Sequence, residues 1–150
     1  MTTSITLYSP TAFQKMIRGE EITYRFISTS AGILKLSMCS IGIFKSEFVE
    51  DSPHALMELD HVSLILVGTP FQHSVWQAAL KIHAGTTITY NQLALEIGNP
   101  KACRAVARAL GANNLAYLVP CHRVIGKNGS LTGFKWGLEK KRHLLQNESL

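Results

Sequence analysis

Cysteine is scarce in this chain of 150 residues. Cys39, Cys103 and Cys121 are odd in number and lack the C-x-x-C spacing, which argues against both a disulfide framework and a cysteine-based zinc site. Reduced thiols are expected, with no metal and no other cofactor. His54, His61, His73 and His83 form no ligand pattern with the cysteines. Long apolar runs are also missing: the stretch 31–44 is interrupted by Lys35 and several serines and is too short to cross a bilayer. The N-terminus lacks a basic segment followed by an apolar one, so the expectation is an intracellular, cytoplasmic protein that does not engage membranes. Acidic residues are sparse in one half only. Residues 1–70 carry five Lys or Arg against seven Asp or Glu, whereas residues 71–150 carry ten against three, so the net charge of +5 originates in the C-terminal half. A polyanionic partner for that half is suggested, nucleic acid before an anionic membrane surface, although a solvated basic face would have the same composition.

The length suffices for a real core, burying roughly two thirds of the unfolded surface. In the first half, the stretches 5–8, 22–28 and 33–44 are rich in β-branched and aromatic residues. Leu34, Leu36 and Met38 alternate with Lys35 and Ser37, the period of a half-buried strand. Gly32 and Ser40-Ile41-Gly42 mark turns or a bulge, a helix is expected over 53–59, and 62–67 reads as another strand. A small antiparallel sheet with one or two helices is the expected outcome, forming an N-terminal domain over 1–67.

Gly68-Thr69-Pro70 marks the expected boundary, with a second domain over 68–150. Thr69 and Gln72 form a T-x-x-Q capping box with Pro70 at the first helical position, and Val75, Trp76, Ala79 and Leu80 make the apolar stripe. Thr89 and Gln92 repeat the device for a second helix that ends at Gly98. Asn99-Pro100 is expected to start a third at once, running to Gly111, which gives the outline of a helix-turn-helix. On that helix Lys101, Arg104 and Arg108 share one face, the remaining residues are mostly alanine, and Ala102, Val106, Ala109 and Leu110 can face the core. So little bulk between long cations suits close approach to a groove, although a solvated amphipathic helix needs no partner.

The chemistry converges on Cys121 and His122. Leu115 to Val119 reads as a buried strand, and Pro120 forces a turn after it, placing the thiol at the strand's edge beside an imidazole that could favour thiolate.

Read together, Asn113, Pro120-Cys121-His122-Arg123-Val124-Ile125-Gly126, Gly129-Ser130-Leu131-Thr132-Gly133 and the helix 138–146 resemble the O6-alkylguanine-DNA alkyltransferases. Gly68-Thr69-Pro70-Phe71, Thr89-Tyr90, Asn99-Pro100-Lys101-Ala102 and Ala105-Val106 extend the resemblance over roughly the last 80 residues. It implies an α+β protein: a small N-terminal sheet domain, ribonuclease H-like, packed on a mostly helical C-terminal domain with a winged-helix-like helix-turn-helix. It implies single-turnover repair by a monomer. The partner would be double-stranded DNA containing O6-alkylguanine, with O4-alkylthymine a second candidate lesion, bound through its minor groove, with the lesion base flipped out.

The resemblance assigns Cys121 as acceptor, His122 as the base acting through a water, and Glu148 as the group that orients the imidazole. Asn113 would hold the active-site turn, and Tyr90 would donate toward guanine N3. Arg104 would fill the space left by the base. Lys101, Ala102, Ala105, Arg108 and Arg123 fall on the DNA side, and Val124, Phe134, Lys135 and Trp136 on the substrate pocket. Lys140, Lys141 and Arg142 read as phosphate contacts or solvated charge, while Cys103 and Cys39 read as packed thiols. Phe134-Lys135-Trp136-Gly137 departs from the family's usual Tyr, small residue and Gly-Gly, which bears on pocket volume. Two other classes fit part of the pattern. A lesion-binding relative without transfer would carry Trp in place of Cys121, and a Cys-His hydrolase would not need the Arg-bearing helices.

Overall fold

The computed structural model describes residues 2–52, 56 and 58–149. Five strands form one sheet: β1 (Thr2–Tyr8), β2 (Thr23–Thr29), β3 (Gly32–Met38), β4 (Ile43–Val49) and β5 (His61–Val67), in the order β1-β5-β4-β3-β2. β2, β3 and β4 form an antiparallel meander, but β5 runs parallel to both β4 and β1. The sheet is therefore mixed and not antiparallel as expected. Alternation along a strand tells which side chains are buried; it carries no information about the direction of a neighbour brought in from distant sequence. Helix α1 (Pro10–Ile17), capped by Ser9, follows β1 and buries none of its residues. Pro53, His54, Ala55 and Met57, within the expected helix 53–59, lie outside the described residues.

The second half contains α2 (Pro70–Leu80), β6 (Ile88–Thr89), α3 (Tyr90–Glu96), α4 (Cys103–Gly111), β7 (Val124–Ile125) and α5 (Leu138–Glu148). Both capping boxes form: Thr69 with Gln72 on α2, and Thr89 with Gln92 on α3. α4 starts later than expected. Asn99 to Ala102 close a turn, with Ala102 N–H donating to Asn99 C=O, so Pro100 serves the turn and Lys101 precedes the helix. Val106, Ala109 and Leu110 face inward, and Trp76 Nε1 donates to the Ala109 carbonyl at 2.8 Å, locking α2 to α4. At Gly68 a Cβ would sit 2.7 Å from the Trp76 ring, so the entry to α2 has room only for glycine.

One apolar cluster runs through both halves. Leu34, Leu36, Ile43, Leu64 and Leu66 of the sheet join Val75, Trp76, Val106, Leu115, Val119 and Val124. Among the described residues no helix is long and apolar enough to cross a membrane.

Candidate active site

The expected strand 115–119 is instead a tight turn with a single bridge, Leu115 to Ser46 of β4. Leu118 N–H bonds to Ala116 C=O, Val119 N–H to Leu115 C=O and Cys121 N–H to Val119 C=O, while Tyr117 adopts φ 68°. The run is apolar because the turn is buried, and turn hydrogen bonds satisfy its peptides without a ladder. Ser46 fastens the turn to the sheet. Its N–H donates to Asn114 C=O at 2.9 Å, its hydroxyl to Ala116 C=O at 2.8 Å, and its carbonyl accepts from Ala116 N–H at 3.2 Å. Sequence reasoning had no signal for Ser46, a small residue in the stretch after 44 that it left unassigned.

Asn113, buried, organises the turn that carries the Cys121 thiol. Its Oδ1 accepts from Leu115 N–H at 2.8 Å, and its Nδ2 donates to Cys121 Sγ at 2.8 Å, with the Leu115 and Val119 carbonyls at 3.3 and 3.4 Å. Cys121 begins a single 3-10 turn, Cys121–Arg123, and its thiol donates to Val119 C=O at 3.3 Å. Among the described residues the thiol's hydrogen-bond partners are Asn113 and Val119, not its neighbour His122. Burial pushes the thiol's pKa up, opposed by the Asn113 hydrogen bond and the charges of Lys141 and Lys135. The resting group is thus a desolvated thiol rather than an activated thiolate, and chemistry there requires that its proton be taken away.

His122 is fully buried and turns to the C-terminal helix, where Nε2 donates to Glu148 Oε1 at 2.8 Å. Tyr117 stacks on the imidazole at 6.3 Å with 4° between planes, and Phe134 meets it edge-on. Its buried Nδ1 has no hydrogen-bond partner among the described residues. A carboxylate only accepts, so the proton sits on Nε2 and Nδ1 is the nitrogen free to take another.

Arg123, expected on the DNA side, is spent inside the protein. Nε and Nη2 grip both oxygens of Glu148 at 3.0 and 2.8 Å, and Nη1 donates to Ile82 C=O at 2.7 Å. Burial works against ionisation of Glu148, but hydrogen bonds from His122 and Arg123, with the guanidinium charge, hold its pKa down to about 2. A bidentate guanidinium fixes the carboxylate and, through it, the imidazole.

β6 pairs in parallel with β7, Ile88 with Val124 and Thr89 with Ile125, which sets Tyr90 at the start of α3 beside the nucleophile segment. A cavity of about 310 Å³ opens there, lined by Tyr90, Ala107, Leu110, Gly111, Cys121, Gly133, Phe134, Lys135 and Trp136. The Tyr90 hydroxyl donates to Thr132 C=O at 2.9 Å, and burial raises its pKa. Trp136 packs between Phe134 and Phe48 of β4, so the sheet supports the pocket's outer wall. Val124, expected to line the pocket, does not; its side chain belongs to the core and its carbonyl faces Lys141. Lys141, expected as a phosphate contact or solvated charge, is likewise internal. It is fully buried, not solvated, and donates to the carbonyls of Val124, Thr132 and Gly133.

Arg104, Ala105 and Arg108 are exposed on α4, Lys101 is exposed in the turn before it, and Ala102 and Cys103 are half-buried where the helix begins. Cys39 is buried in the sheet domain. The cavity lies against the Ala107, Leu110 and Gly111 side of this helix, so the cationic face and the pocket share one element.

Comparison with known proteins bears on this arrangement. The family model described as 6-O-methylguanine DNA methyltransferase, DNA binding domain, matches residues 70–150. The chain is 55% identical over 83 residues to a methylated-DNA–protein-cysteine methyltransferase of Kluyveromyces lactis, covering 55% of this chain and 44% of that protein. It is 56% identical over 88 residues to a probable methylated-DNA–protein-cysteine methyltransferase of Acanthamoeba polyphaga mimivirus, covering 59% and 58%. The chain thus spans about half the length of the curated relatives it matches. Among solved structures, Mycobacterium tuberculosis OGT in complex with DNA superposes with a TM-score of 0.71 at 35% identity, covering 84% of this chain and 92% of that one. The structural match thus reaches beyond residues 70–150 into the mixed sheet, and the chain belongs to the 6-O-methylguanine DNA methyltransferase family.

Proposed function

We propose that this chain repairs DNA by direct reversal, taking the alkyl group of O6-alkylguanine onto Cys121 in a single turnover. The observation that carries the reading is the pairing, across one cavity, of a desolvated thiol with the Tyr90 hydroxyl. In an SN2 step the Cys121 sulfur forms a bond to the alkyl carbon and the C–O6 bond breaks, its electron pair passing to the purine. Tyr90 then donates toward N3 as that charge develops. The thiol proton goes to His122 Nδ1 through a water, and the unpaired, buried state of that nitrogen supports the assignment. Glu148, clamped by Arg123, orients the imidazole and balances its charge. The product is a thioether, which water does not cleave, so the acceptor is consumed.

The substrate is double-stranded DNA, met in the minor groove by α3 and α4 as a winged-helix-like unit. Arg104 enters the stack in place of the flipped base, Lys101 and Arg108 meet phosphates, and Ala102 and Ala105 permit close approach. Relatives named for acting on methylated DNA, and a DNA complex of the M. tuberculosis structure, support this partner. Three antiparallel strands beside two parallel ones support a ribonuclease H-like N-terminal domain over 1–67, with the acceptor domain over 68–150. The protein acts in the cytoplasm as a monomer.

Mass spectrometry after incubation with duplex containing O6-methylguanine is the test. One added methyl group on the peptide carrying Cys121 is expected; repeated turnover, or label on Cys39 or Cys103, refutes the reading.

A further inference from the structure

Lys141 has no part in the chemistry just described, yet it is the largest fully buried side chain among the described residues. An ammonium leaves water only against a large desolvation cost, which is offset when all three N–H bonds find acceptors. Here they do: Val124 C=O at 2.7 Å, Thr132 C=O at 3.1 Å and Gly133 C=O at 3.3 Å. The first acceptor belongs to the segment that follows Cys121, and the other two to the loop that walls the pocket. One ammonium therefore staples the loop to the nucleophile side. The Thr132 carbonyl is also the acceptor of the Tyr90 hydroxyl, and Lys141 Nζ lies 6.0 Å from the centre of the Tyr90 ring. In the resting protein the proton that Tyr90 would offer to the base is engaged with this carbonyl. To donate, the hydroxyl must leave it, at the moment when a base in the cavity excludes solvent, and a carbonyl stripped of its donor there is costly.

We propose that Lys141 is a positioning residue for alkyl transfer: by donating to the same Thr132 carbonyl, it frees the Tyr90 hydroxyl to turn to the flipped base while the pocket loop stays in place. This rests on the function proposed above. Burial lowers the pKa of Lys141 to about 8, and an ionised Cys121 would oppose that shift, in keeping with an ammonium held beside the thiol.

The test measures the single-turnover rate constant on O6-methylguanine duplex, with protein in excess, for wild type, Lys141→Met, Tyr90→Phe and the double variant. If Lys141 acts through Tyr90, each single change slows transfer about tenfold or more and the double variant lies within about threefold of the slower single. Losses that multiply overturn the proposal, because a lysine that only stabilises the loop acts independently of Tyr90. Duplex affinity and its salt dependence stay unchanged in Lys141→Met, since the ammonium does not reach the surface; a reduced salt slope would mark a phosphate contact and overturn the proposal as well. Should Lys141→Met not fold, the melting temperature of Tyr90→Phe decides. Lys141 covers the Thr132 carbonyl in that variant, so it melts within about 2 °C of wild type, and a fall beyond about 5 °C overturns the proposal. Wild-type protein that never labels Cys121 removes the function and this inference together; active wild type with multiplying losses removes only the inference.

Discussion

The two sides of the pocket are built differently. On the nucleophile side, Asn113, Cys121 and His122 are buried, tied to backbone and to Glu148, and braced by Tyr117 and Arg123. On the loop side, Thr132, Gly133, Lys135 and Gly137 are exposed and the segment has no ladder of its own. What orders it comes from elsewhere: Tyr90 and Lys141 on its carbonyls, Phe48 behind Trp136, and Lys135 reaching Asn114 Oδ1 at 3.1 Å. The Cys121 sulfur sits where the structure is most constrained, and the loop that walls the cavity sits where it is least so. Substitutions on the two sides should therefore differ in kind as well as size.

The largest effect is expected from Cys121→Ala, which abolishes transfer but retains duplex binding, as read by intact-mass analysis and a gel-shift titration. Binding lost from a folded variant would show that the rigid side also supports the DNA face. Asn113→Ala removes a donor shared by Cys121 and two carbonyls and the acceptor of Leu115 N–H. A loss of about 2–4 kcal/mol in urea unfolding is expected. The variant thiol should also react with iodoacetamide only at higher pH, because the hydrogen bond that opposes burial is gone.

Glu148 makes the rigid side sensitive to acid. Its folded pKa of about 2 lies below its ordinary value of 4.5, so its stabilisation is complete above 4.5 and is lost as pH falls toward 2. Chemical unfolding of Glu148→Gln should show a shallower decline than wild type across that window; parallel curves would mean the clamp is not coupled to folding. The smallest effect belongs to the loop. Lys135→Ala gives up an exposed hydrogen bond and should change stability by no more than about 0.5 kcal/mol. A loss comparable with that of Asn113→Ala would erase the contrast between the two sides.

What could be read in the sequence was what is local. The capping boxes at Thr69 and Thr89 depend on residues three apart and both form; the inward faces form at Val75, Trp76 and Ala79 of α2 and at Val106, Ala109 and Leu110 of α4, whereas Leu80 is half-buried and Ala102, also half-buried, precedes α4. The Pro-Cys-His-Arg motif and Tyr90, Asn113 and Glu148 meet in one place because a shared motif order carries three-dimensional information that composition does not. One failure is local, the turn at Asn99 to Ala102 that delays the start of α4, and the others are set by tertiary context. Strand direction around β5 is decided by partners far along the chain. The apolar run 115–119 looks like a strand because burial, not extension, selects its residues, and the positive φ of Tyr117 leaves no trace in a hydrophobic pattern. Arg123 and Lys141 read as surface charge because their partners, Glu148 and Ile82 for one and three backbone carbonyls for the other, become neighbours only on folding.

The three hydrogen bonds of Ser46 set a limit on how far this protein can be divided. The stretch matched by the family model begins at residue 70, but the turn carrying Asn114 and Ala116 is held by a strand well before it. Shortened to residues 70–150, the chain would keep Asn113, Cys121, His122 and Glu148 and lose the strand that fastens the turn before the thiol. The unit that holds the turn before Cys121 therefore reaches back at least as far as β4.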